Sequence, residues 1–505
     1  MKKKFYTMLV LSCLPAAVLF AGGCRRSELN YQIAESIGTV GKYDNNEPVE
    51  SPKMREERLA QEAVSEEAVQ TRSILDQADA LAASYRYDEA IEYLQSVSTE
   101  GNSEELTNKI NEYQNEQASL SAYDGAIPHL CFPTLIEDTS MAFDGDENSS
   151  NYANSMITVR EFEAMLESLY EKGYVLVSMS DIAKDVTDSR GVTTLEMQQI
   201  MLPADKKPIV LSQDNVSYEG VKNGDGIATC LVLDDDGGVK AKYTDSEGHD
   251  KIGDYDFIPI VDSFVEQHPD FSYKGAKGVI SVSGANGVYG YSLSKSSSGP
   301  ASQPSSETES TAQAQTSADS TAQGTSDSTA GTQSGETSAD SSTNASGETG
   351  TPDNSRVLNL HTNLQNQNLT EEQKTIAGIS DALRDDGWSI ACAGYSHSYM
   401  NDMSLSQLEN DISSWEEEVG SLVGGSSILF YPYGGEVAYP GDQLNYLLSS
   451  GFEYLCGLWG DTDYMEMGDG YLRQTRRFVD GYTLENAPDY FTDFFDVSSL
   501  RDPDR

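Results

Sequence analysis

The chain has 505 residues, long enough for more than one domain, and carries 33 Lys and Arg against 82 Asp and Glu, a formal net charge of −49. Such a surface repels phosphate backbones, which excludes nucleic acid as a partner. The six cysteines include no CxxC pair, so neither a zinc knuckle nor a disulfide framework is indicated.

The chain opens with a basic run, Met1 to Lys4, followed by an apolar stretch from Phe5 to Phe20 and the small residues Ala21, Gly22 and Gly23 before Cys24. This is the pattern of a secretory signal over residues 1–23. The small residues ahead of Cys24 resemble a bacterial lipoprotein box, with Ala21 where Leu is commonest. That resemblance implies cleavage before Cys24, a lipid on its sulfur, and attachment to the extracellular face of the cytoplasmic membrane. Two acyl chains suffice for stable anchoring. The alternative is an uncleaved anchor, because the stretch is nearly long enough to span a bilayer. Residues 24–55 are polar and contain proline, as expected of a flexible tether. Cys131, Cys230, Cys392 and Cys456 are far apart and read as buried free thiols.

Residues 56–122 turn helical. Leu75, Ala78, Leu81 and Ala82 share one face, and the pattern restarts after Tyr87 with Ala90, Ile91 and Leu94. "YRYDEAIEYL" resembles the turn and second helix of a tetratricopeptide unit, present once, which predicts a small helical hairpin rather than a solenoid.

Residues 123–495 alternate strand and helix signals. Thr158 with Glu161, Thr370 with Gln373 and Ser404 with Gln407 each have the spacing of a capping box. Each precedes an apolar stripe, and the strand signals "YVLVS", "WSIACA" and "SSILFYPYGG" follow. This alternation predicts an α/β fold with a parallel sheet, open or closed into a barrel. Two insertions interrupt it. "CLVLDDDGGVKAKYTD" reads as a β-hairpin turning at Asp235 to Gly238, its acids serving the turn rather than calcium. Residues 296–355 are rich in Ser and Thr without Lys or Arg, and are expected to be disordered.

The segments "IPHLCFPTL", "ITVREFEAMLESLYEKGYVLVSMSDIA", "KPIVLSQDNVS", "GWSIACAGYSH" and "FYPYGG" stand in the order found in NodB-type polysaccharide deacetylases, carbohydrate esterase family four, and resemble them. The resemblance implies a distorted (β/α) barrel with its site at the carboxyl ends of the strands. It also implies a zinc-type divalent metal held by one Asp and two His, with a second Asp as base. On this chain the base position is Asp214. The metal positions fall on Asn215, Ala393 and His397, and a histidine that often closes the family's first strand falls on Pro133. One carboxylate has become an amide and one imidazole a methyl group, so His397 stands without the partners that a catalytic zinc requires.

Neighbours offer little replacement. Cys392 points to the opposite face from Ala393, and His129 lies about 13 Å back from Pro133 at strand rise. His249, His268 and His361 fall in inserted or peripheral segments. The resemblance further implies that the "YPYG" loop lines a sugar groove, with Tyr395, Tyr431, Pro432 and Tyr433 as its apolar faces with polar tips. Late in the chain Arg473, Arg476, Arg477 and Asp480 cluster. Arg476 or Arg477 is placed to orient Asp214, although surface ion pairs are the simpler expectation. The function expected is recognition of a cell-wall or capsular polysaccharide without hydrolysis and without a metal. The alternative is an active N-acetyl glycan deacetylase with recruited ligands. A scaffolding role through the helical hairpin rests on "YRYDEAIEYL" alone.

Overall fold

The computed structural model describes residues 51–99, 102–293, 369–459 and 463–505. The signal segment, Cys24, nearly all of the tether, the Ser/Thr-rich insertion and His361 lie outside the described residues. The chain divides into two units, Met1–Leu75 and Asp76–Arg505. The described part of the first unit is the beginning of helix α1, Pro52–Ala83. That helix starts at Pro52 rather than Glu56, as proline's fixed φ favours the first helical position. No helix among the described residues is long and apolar enough to cross a membrane.

In the second unit, α2 (Tyr87–Val97) and α3 (Ser103–Ser119) pair, with Tyr87, Ala90 and Leu94 buried on one and Leu106 and Tyr113 on the other. The hairpin expected from the sequence thus gains a further helix.

Among the described residues the main sheet has ten strands. In chain order these are β1 (His129–Phe132), β2 (Tyr174–Leu176), β3 (Lys207–Gln213), β4 (Val279–Val282), β5 (Ser389–Cys392), β6 (Ile428–Phe430), β7 (Tyr454–Gly457), β8 (Met465–Met467), β9 (Leu472–Thr475) and β10 (Arg477–Phe478). Their spatial order is β8-β9-β7-β6-β5-β4-β3-β1-β10, with β2 also paired to β3. Every pair is parallel except β8 with β9.

The two ends of this path are nearly continuous in sequence: β9 pairs with β7, β10 pairs with β1, and only Arg476 separates them. The sheet therefore curls. The expected (β/α) barrel is seen as a curled, half-barrel sheet, and a closed ladder is not shown. Because the strands run parallel, their carboxyl ends gather at one edge, where such sheets place their sites.

Helices α4 (Val159–Glu171), α5 (Phe257–Gln267), α6 (Glu371–Asp385), α7 (Leu405–Trp415) and α8 (Asp442–Ser449) accompany the sheet. All three capping boxes read from the sequence form, at Thr158, Thr370 and Ser404. Gly387 ends α6 at φ 94°, where a Cβ would lie 2.0 Å from the carbonyl oxygen of Gly275. Phe132, Phe162 and Phe257 pack with centroids 4.9–5.6 Å apart between sheet and helices. Burying each ring contributes about 1.5–3 kcal/mol.

The stripe from Leu405 to Leu422 is not one regular helix. A π-turn over Glu416–Gly420 follows α7 before the short helix Ser421–Val423. The predicted hairpin forms from Cys230–Leu233 and Val239–Thr244, and a third strand, Asp250–Gly253, joins it. Its turn is held by Asp234, whose carboxylate accepts from the amides of Asp236 and Gly238 at 3.0 and 2.8 Å.

Packing continues past residue 495 to the last residue. Arg505 meets Glu161 at 2.5 Å, the same carboxylate that closes the Thr158 capping box. The four cysteines of the strand–helix region are buried and free.

Candidate functional site

Asp214 and Asn215 follow β3 directly. The Asp214 amide continues the ladder to the Phe132 carbonyl at 3.0 Å, and Asn215 turns the chain at φ 47°. Asn215 is tied to the next strand: its amide donates to Ser281 Oγ at 2.9 Å, and its Oδ1 accepts from Ser283 at 2.7 Å. The side chain at the expected metal position is thus an amide oxygen engaged by a hydroxyl.

The Asp214 carboxylate is bound by the guanidinium of Arg476. Arg476 has a fully buried side chain, and Asp214 remains 19% exposed. On its strand Arg476 shares a face with Gln474. Both residues are buried. The guanidinium lies 3.9 Å over the Phe430 ring and 3.7 Å from Cys131 Sγ. Burial pushes the Cys456 thiol up to about 12 despite the nearby cation. The simpler expectation of a surface ion pair is corrected for Arg476. Its place between β9 and β10, next to buried Gln474 and Thr475, buries the arginine, and a buried guanidinium requires an anionic partner.

The other members of the late cluster disperse. Arg473 binds Glu436 at 2.5 Å between the rings of Tyr439 and Trp459, Arg477 binds Asp463 at 2.8 Å, and Asp480 caps the helix Gly481–Asn486.

Ala393 is buried just past β5, its amide donating to Val282 at 3.1 Å. The loop then turns, anchored by Asp411, which accepts from the amides of Tyr395 and Ser396 at 2.9 Å each. His397 follows at φ 48°. Burial lowers its pKa and Arg476 adds to the effect, while the carboxylates of Asp214 and Asp411 oppose it. His397 and Asp214 are therefore brought into one electrostatic neighbourhood, and Ala393 adds no polar atom to it. Pro133 is buried at the end of β1.

His129 serves the interior of the sheet. Its ring bridges Gln474 Oε1 at 3.1 Å and Ser212 Oγ at 2.8 Å, and burial, with help from Arg476, holds its pKa well below the ordinary value. His249 lies in an exposed turn, and His268 packs against Tyr170 and Phe264.

The tyrosines separate into two groups. Tyr431 is fully buried, its hydroxyl 2.9 Å from that of Tyr439, and Pro432 is buried beside it. Neither presents a face to a ligand, which corrects the expectation for both. Tyr433 is 57% exposed, and Tyr399, missed in the sequence, is 48% exposed. Their rings lie 4.9 Å apart and 32° from parallel, and Tyr433 also meets the His397 ring at 4.9 Å. Tyr395 is half-buried over Gly284, where a Cβ would stand 2.2 Å from its ring, and its hydroxyl reaches Glu418 on the π-turn at 2.9 Å.

Asn215, His397 and Tyr433 share one more property: each is a non-glycine residue at positive φ. Such conformations cost on the order of 1 kcal/mol or more each and persist where surrounding structure enforces them, commonly at functional sites.

These residues do not fit a divalent metal. Asp214 is committed to a cation, Asn215 Oδ1 accepts from a hydroxyl, and Ala393 has no donor. Among the described residues no three His, Cys, Asp or Glu side chains gather as a ligand set.

No protein-family model matches the chain, and no curated protein matches it. A solved structure titled as the Streptococcus pyogenes deacetylase PplD in complex with acetate is similar at 10% identity, covering 71% of this chain and 94% of that chain with a TM-score of 0.33. Likeness at that level assigns no function.

Proposed function

We propose that this chain is a deacetylase-like receptor for polysaccharide, lipid-anchored through Cys24 on the outer face of a bacterial cytoplasmic membrane, that holds cell-wall or capsular glycan without hydrolysing it. The observation that carries this reading is the Asp214–Arg476 pair. In the related chemistry a base and a metal activate water. Here one oxygen of the base position is held by a buried guanidinium, and two metal positions lack suitable donors. What remains at the strand ends is a pair of exposed tyrosine rings with His397 beside them. Aromatic faces stack on the apolar faces of pyranose rings, while phenol and imidazole tips meet sugar hydroxyls.

Retention of the full chain on insoluble peptidoglycan and chitin tests the proposal. Retention that weakens in Tyr399→Ala and Tyr433→Ala supports it, and retention unchanged by both removes the stacking surface.

The second reading is a metal-dependent N-acetyl glycan deacetylase. It is favoured by the proximity of Asp214 and His397 and needs ligands from elsewhere in the chain. Zinc titration separates the two readings.

A further inference from the structure

Two open cavities flank Tyr395. One, of about 570 Å³, is walled by Tyr395 and Tyr399 with Asp402, Gln407, Asn410 and Asp411. The other, of about 590 Å³, includes Glu219, Asn286 and Glu418 among its walls. The first adjoins the exposed rings, since Tyr399 lies 4.9 Å from Tyr433, and Glu219 on the wall of the second acts electrostatically on the Tyr433 hydroxyl.

Their ionisable groups have one sign. Among the described residues, the first cavity carries two carboxylates, the second carries two, and no Lys or Arg lines either. Arg476 has a fully buried side chain already bound to Asp214. The carboxylates differ in their engagement. Asp411 is spent on two backbone amides, and Glu418 accepts from Tyr395. Glu219 accepts from the Asn286 side chain. Among the described residues no hydrogen bond or ion pair involves the Asp402 carboxylate, which is exposed on the cavity wall.

We infer that the cavity between Tyr395 and Tyr399 selects a sugar bearing a free, protonated amine, with Asp402 as the residue that meets the ammonium group. This deepens the proposed function and rests on it. A pyranose stacked on Tyr399 turns its ring substituents toward the rim, where Asp402 offers an acceptor and a charge, while Gln407 and Asn410 offer neutral partners for hydroxyls. An N-acetyl group at the same position brings bulk and no charge. A phosphate or uronate meets two carboxylates and no Lys or Arg among the described lining residues, and is repelled. The chemical class is thus a de-N-acetylated amino-sugar polymer.

The test is calorimetric titration of the full chain, in mild detergent, with β-1,4-linked tetramers of glucosamine and of N-acetylglucosamine. The glucosamine tetramer is expected to bind about tenfold more tightly, with the preference falling as salt screens it. Asp402→Asn should erase the preference. Glu247→Gln, which removes the same charge from an exposed turn, should leave the preference intact, because the effect is local rather than a property of the −49 chain. Equal binding of the two tetramers, or an equal response to both substitutions, overturns the inference and leaves glycan recognition standing. Failure to bind either tetramer overturns both.

Discussion

Asp214 and Arg476 stand 262 residues apart in sequence and are bound to each other where the sheet curls, the carboxylate at the end of β3 and the guanidinium between β9 and β10. The pair links the centre of the sheet to the segment that ends its pairing path. It also engages one carboxylate oxygen of the side chain at the expected base position.

Replacing Arg476 with Met leaves Asp214 facing an apolar neighbourhood without a partner. Breaking a buried pair from one side typically costs about 3–5 kcal/mol. With Asp214 19% exposed, the expected loss is about 3 kcal/mol in denaturant unfolding. Adding Asp214→Asn should return most of it, since two neutral side chains need no charge partner. A double variant as unstable as the sum of the singles would show that the two residues do not act as a pair.

The two groups of tyrosines should part company experimentally. Tyr431→Phe removes the hydroxyl bond to Tyr439 and should cost about 1 kcal/mol of stability without changing glycan retention. Tyr433→Gly removes an exposed ring and also relieves a positive φ of 53°. Its stability should stay level or rise by about 1 kcal/mol, while retention falls about tenfold. Parallel loss of stability and binding in Tyr433→Gly would mean that the ring is structural.

His129 and His397 both have pKa values lowered from 6.5, the first well below it. The unfolded chain therefore binds more protons than the folded one as pH falls below 6.5, so their contribution to stability is complete above that value and is lost progressively beneath it. Unfolding free energy should rise between about pH 5 and pH 7. In His129→Gln the slope should shrink by close to one proton. An unchanged slope would place the titration on other groups.

Much of the fold was legible because local physics wrote it. Three capping boxes stand where the Ser or Thr with Glu or Gln spacing put them. Asp214, Asn215 and His397 were singled out by the resemblance to the polysaccharide deacetylases rather than by the alternation. The curl was expected only from the resemblance; the alternation alone left the sheet open or closed, since pairing of β10 with β1 is a contact between distant parts of the sequence. For the same reason the burial of Arg476 was missed. The alternation of Gln474 and Arg476 was a usable signal, but it does not say which face points inward. Tyr431 and Tyr433 differ by two residues and were assigned one role, yet the left-handed turn at Tyr433 sends them to opposite fates. The turn after β5 also hid Tyr399, two residues beyond His397.

Zinc titration calorimetry on the full chain tests the central claim most directly, because it asks whether Asp214 answers to Arg476 or to a metal, and needs no knowledge of the substrate. The account predicts no saturable binding in the micromolar range. Submicromolar binding of one ion per chain, lost in His397→Ala, would contradict it and return the site to metal-dependent deacetylation.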